Sequence, residues 1–140
     1  MNTVPEKRSF TRFFPAIARI LLGLPLLVFG LNMFFNFIPQ PKMVLPPGAL
    51  EFSTALMNSG YMMPLIGVTF LLVGSMLLSN RFVPLALAFF APFMVNSLCF
   101  HIFLERTGLP MAVIFAAIEV YLAWAYRAAY RSMLAARHTP

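Results

Sequence analysis

The chain has 140 residues, 61% hydrophobic and 10% charged, with a mean hydropathy of +0.84. A soluble domain usually carries roughly 25% charged residues, so polar surface is too scarce here for a water-soluble globule, and the apolar stretches leave no room for a second, soluble domain. The net charge of +6 sits at the ends of those stretches and not in one patch, which argues against a nucleic-acid partner and marks membrane topology instead.

Residues 1–12 are polar and basic, with Glu6, Lys7, Arg8 and Arg12. The apolar segment that follows, at about 13–38, is too long for a signal-peptide core of about 7–15 residues and is expected to stay as a first membrane helix that tilts, kinks at Pro25 or projects beyond the hydrocarbon. Pro39, Pro41, Pro46 and Pro47 then make a loop, because proline removes backbone donors and blocks helix. A short helix at about 49–58, with Phe52, Leu56 and Met57 on one side, is expected to lie in the membrane interface. Three more membrane helices are expected at about 61–79, 82–104 and 109–130, with Pro64, Pro84 and Pro110 each in a first turn, where the missing amide costs least. The fold expected is therefore all-α: one transmembrane domain over residues 1–140, an integral membrane four-helix bundle with a short interfacial helix between helices one and two.

Lys7, Arg8, Arg12 and Arg19, the turn at Arg81, and the tail with Arg127, Arg131 and Arg137 fall on one side, whereas Lys42 with Glu51 and Glu105 with Arg106 cancel on the other. The positive-inside rule then places both termini in the cytoplasm. Tyr61, Trp124, Tyr126 and Tyr130 fall near helix ends, as in an aromatic belt. Gly23 and Gly30 are seven apart, as are Gly60, Gly67 and Gly74, so the first two membrane helices are expected to pack closely along a glycine seam.

An ionisable side chain deep in a membrane helix is a functional-site hypothesis by default. Glu119 shares a face with Ala112, Ala116 and Ala123, a face that small residues direct into the bundle. Its competing reading is a hydrogen bond to a neighbouring helix. Asn96, one turn after Pro92, either lines a polar cavity opened by the kink or makes an interhelical hydrogen bond. His101 has Ser97 and Glu105 one turn away on its own face; one histidine and one carboxylate are too few for a zinc site, so no metal is expected. Asn32 and Asn36 are spaced as interhelical glue, and Arg19 as a residue that extends to the headgroups. Asn32, Asn96, His101 and Glu119 are the candidates for one pocket opening outward, although Asn96 and His101 are about 140° apart on their helix. The lone Cys99 excludes an intrachain thiol relay.

A set of short motifs runs through the chain: Arg19-x3-Gly23, Gly30-Leu31-Asn32, Phe34-Phe35-Asn36-Phe37, Gly60-Tyr61, Pro64-Leu65-Ile66-Gly67-Val68-Thr69 and Asn80-Arg81-Phe82-Val83-Pro84-Leu85-Ala86-Leu87. They continue with Ala91-Pro92, Val95-Asn96, His101-x2-Leu104, Gly108-Leu109-Pro110 and Glu119-x-Tyr121-Leu122-Ala123-Trp124-Ala125-Tyr126-Arg127. In these motifs the chain resembles the bacterial DoxX family. What the resemblance implies is a multi-pass protein of the bacterial inner membrane, associated with redox chemistry, with quinone as the cofactor class and another membrane or redox protein as partner; a homo-oligomer is left open by the sequence. Similar members carry lysine where this chain has Met33 and glutamate where it has Phe70. The simplest account is a buried ion pair lost as a unit, which is tolerated where losing one partner is not.

The function expected is a redox-associated or scaffold membrane subunit with an apolar pocket and no catalysis by this chain alone. The alternatives are a quinone-binding subunit of an oxidoreductase and a small proton-coupled transporter.

Overall fold

The computed structural model describes residues 13–39, 42–131 and 133–134. The expectations for Glu6, Lys7, Arg8, Arg12, Pro41 and Arg137 lie outside the described residues. Within them the chain is all-helical: α1 (Phe14–Phe35), α2 (Pro47–Asn58), α3 (Met62–Leu78), α4 (Val83–Phe103) and α5 (Leu109–Ala125), then a 3-10 turn at Arg127–Tyr130. Prolines open α1, α2, α4 and α5 in the first two positions, where their fixed φ suits the helix and their missing donor is an orphan anyway.

Two helix ends depart from the sequence expectation. α1 stops at Phe35 and not near residue 38, because Asn36 turns left-handed (φ 48°), a conformation asparagine tolerates. The Asn32 carboxamide oxygen then accepts the Ile38 amide at 2.7 Å, so this pair builds a helix terminus and is not interhelical glue. α5 stops at Ala125 and not near residue 130. The Tyr126 hydroxyl reaches the Asn80 side chain (3.4 Å) and the Tyr130 hydroxyl donates to the Pro84 carbonyl (2.8 Å), so the last turn tightens onto the α3–α4 turn.

The four longer apolar helices contact one another in a ring: α1 on α3, α3 on α4, α4 on α5, and α5 back on α1, with the α1–α3 contact the most extensive. At its centre Leu22, Leu26, Val73, Leu77, Phe90 and Leu122 are buried. Phe70 sits edge-on to Phe93 with ring centroids 4.7 Å apart. The glycine seam lies in the α1–α3 contact: a Cβ on Gly74 would come within 2.9 Å of the Gly23 carbonyl oxygen and of the Leu27 amide nitrogen.

α1 and α4 are each long and apolar enough to cross a membrane; α2 and α3 meet that test only as a pair, bent by 86°, and α5 is a shorter apolar helix of 17 residues. α2 lies across the far end of α4, with the Phe52 and Phe100 rings 5.6 Å apart. The outer faces of the ring expose large apolar side chains, among them Ile20 and Leu24 on α1, Leu65 and Val68 on α3, Phe89 and Val95 on α4, and Val113 and Val120 on α5.

Candidate functional site

Between α4 and α5 runs an apolar groove of about 390 Å³. Leu87, Ala88, Ala91, Met94, Val95 and Leu98 form the α4 wall; Ala116, Val120 and Ala123 form the α5 wall, and Tyr130 closes one end. The α4 wall recurs at helical spacing and carries alanine at positions 88 and 91, which keeps the groove open. Pro92 has no amide hydrogen to give to the Ala88 carbonyl one turn earlier, on the groove wall. Glu119 lines this groove and supplies its one carboxyl group. Only 7% exposed, it leaves Oε1 buried without a hydrogen-bond partner among the described residues. An unsatisfied buried polar atom costs about 1–3 kcal/mol, so a hydrogen bond to this oxygen or its proton would be favourable.

The other sequence candidates do not join Glu119. Asn32 is buried and caps the end of α1; it lines a separate cavity with Phe29, Met33, Asn36, Met57 and Phe70. Asn96 is exposed on the outer face of α4. His101 is half-buried in the last turn of α4, where its Nδ1 lies 3.0 Å from the Glu105 carbonyl oxygen and 3.2 Å from Glu105 Oε2. Both are acceptors, so Nδ1 carries the hydrogen. The single pocket shared by Asn32, Asn96, His101 and Glu119 is thus replaced by one groove holding Glu119 alone. Arg19 Nε donates to the Pro15 carbonyl at 3.4 Å, toward the start of α1, while its NH1 nitrogen is buried without a partner among the described residues.

The sequence reading missed the role of Glu105. Its Oε1 accepts the Thr107 amide (2.7 Å) and the Thr107 hydroxyl, and its Oε2 accepts the Gly108 amide (3.0 Å), so one carboxylate organises the turn that starts α5. The readable signal was an acidic residue two and three positions before amides that open a helix. The hydrogen bond from the Thr107 hydroxyl, followed by that from the Gly108 amide, holds the Glu105 carboxyl down at about 2 against an ordinary 4.5. The depressed value means the carboxylate stabilises the fold above pH 4.5, and that contribution is lost as pH falls toward 2. Glu105→Gln, which turns an NH2 group toward one of these donors, is expected to lower the melting temperature at neutral pH and to flatten its fall between pH 4.5 and 2. Thermal melts across that range in one detergent check this.

Chemically, the groove can shelter an apolar molecule and offer one polar atom a hydrogen bond. Among the described residues there is no cluster of three or more His, Cys, Asp or Glu that could hold a metal ion. No family model, curated protein or solved structure matches the chain.

Proposed function

We propose that this chain is a DoxX-like membrane subunit that holds an apolar molecule with one polar head in the α4–α5 groove, where Glu119 is the polar contact. The observation that carries this reading is the buried, unpartnered Glu119 Oε1 in a groove otherwise lined almost wholly by apolar side chains. A quinone is the ligand class the family resemblance implies; its carbonyl accepts a hydrogen bond from the protonated acid. On this reading the chain positions the molecule for a partner that carries the electron-transfer group.

The membrane setting is part of the proposal. α1, α3, α4 and α5 form a four-helix transmembrane bundle in the bacterial inner membrane, because their outer faces are apolar in the way that lipid requires. α3 and α5, at 17 residues each, fall at the lower limit of spanning length. α2, at 86° to α3, then lies along the interface. Arg81, Arg127 and Arg131 belong to the end that the Tyr126 and Tyr130 contacts bring together, which supports a cytoplasmic C-terminus. The groove then opens sideways toward lipid, nearer the cytoplasmic side than the outside.

Binding is read from quenching of Trp124, the one tryptophan, by a short-chain ubiquinone analogue in nanodiscs. Wild type is expected to quench saturably. Glu119→Leu should weaken binding about tenfold, the equivalent of one hydrogen bond of about 1.4 kcal/mol. Glu119→Gln, which keeps a donor, should lose less. Glu119→Leu is also expected to raise the melting temperature, since it removes an unsatisfied buried atom. Unsaturable quenching that is equal in all three proteins would contradict the assignment.

The scaffold reading is favoured by one separate observation, the polar residue on the outer face of α4.

A further inference from the structure

Leu85, Phe89, Pro92, Asn96, Cys99 and Phe103 are all exposed on α4. Their spacing alternates between four and three residues, the heptad spacing that keeps one seam facing a parallel partner helix. On the membrane reading above, this seam meets lipid, and Asn96 stands in its middle with no side-chain hydrogen bond to the described residues. A carboxamide cannot satisfy its two donors and its acceptor in hydrocarbon. A charged partner is not needed; the complement of a carboxamide is another carboxamide, each giving one N–H to the other's oxygen.

We infer that the α4 seam is the interface of a parallel, two-fold symmetric homodimer in the membrane, held in register by an Asn96–Asn96 pair. A second copy is the occupant the geometry favours. Two copies inserted with the same orientation are related by an axis along the membrane normal, which makes their α4 helices parallel and sets each seam residue against its own equivalent. Asn96 then meets Asn96, so donors and acceptors match without any further requirement on the partner. A single polar residue within an otherwise apolar seam is also the device that fixes register and oligomeric state in helix pairs. Amide hydrogen bonds between membrane helices strengthen association about three- to tenfold. Cys99, the next seam position, falls opposite its own equivalent in this arrangement.

The inference rests on the membrane setting, and the test separates the two. The full chain in its own membranes is first extracted with carbonate; release into the aqueous phase would defeat the membrane reading itself. The retained protein is then oxidised with copper phenanthroline. A Cys99–Cys99 disulfide at twice the chain mass is expected, with the two thiols losing two protons and two electrons to the copper oxidant. In a Cys99→Ser background, Val120→Cys on the outer face of α5 should give little or none. In lipid vesicles, energy transfer between labelled copies should show Asn96→Leu associating about three- to tenfold more weakly than wild type, with Asn96→Gln partly restored. Equal cross-linking from positions 99 and 120, equal association of wild type and Asn96→Leu, or a cross-link to a different protein would each overturn the homodimer.

Discussion

Gly74→Ala is expected to destabilise the protein in detergent by about 1–3 kcal/mol, the cost of overpacking a tight contact, and Gly74→Leu to prevent folding. The added Cβ would press on backbone atoms of the opposite helix, the Gly23 carbonyl oxygen and the Leu27 amide nitrogen, both at 2.9 Å. Neither can move without shifting α1 as a whole. Gly67→Ala is the informative comparison. Its Cβ would meet the far edge of the Phe34 ring at 2.8 Å, the end of a side chain that is 46% exposed and can turn aside more cheaply than backbone. The expected cost there is under about 1 kcal/mol. Thermal melts of both variants in one detergent decide the matter; a Gly67→Ala protein less stable than Gly74→Ala would place the close approach at the wrong end of the seam.

Phe70→Glu is expected to be the more damaging of two single substitutions that restore the charges of the resembling family. Phe70 is buried, with the Phe90 and Phe93 rings 6.1 and 4.7 Å away. A lone carboxylate there lacks any compensation, and unpaired charges of this kind cost about 3–5 kcal/mol. Met33→Lys should be mild, because position 33 is half-buried two residues from the end of α1, from which, on the proposed membrane reading, a lysine stem reaches the headgroups. Met33 and Phe70 line the same cavity, so the double substitution is expected to recover part of the loss. A double variant no more stable than Phe70→Glu alone would remove the idea that the two positions trade as a pair.

Much of the helix layout was legible because proline and glycine punctuate it. Pro84 and Pro110 mark first turns, and Gly23 and Gly74 mark the seam through backbone sterics that depend on little else. The ends of α1 and α5 were not legible, since they depend on where side chains reach: the Asn32 carboxamide to Ile38, and the Tyr130 hydroxyl to Pro84. The Glu119 face could be read because alanines flank the carboxyl at helical spacing. Asn96 could not be placed, because α4 is apolar on every side and offers no polar face against which to orient it. The grouping of four polar residues into one pocket failed for that reason, and because Asn32 and His101 are already engaged by their own helix ends.

Infrared difference spectroscopy reads the Glu119 carboxyl itself as the short-chain quinone is added. A carboxylic acid C=O band is expected to shift, and the shift to disappear in Glu119→Gln and persist in Glu105→Gln. A saturably bound quinone that leaves this band unmoved would contradict Glu119 as its polar contact.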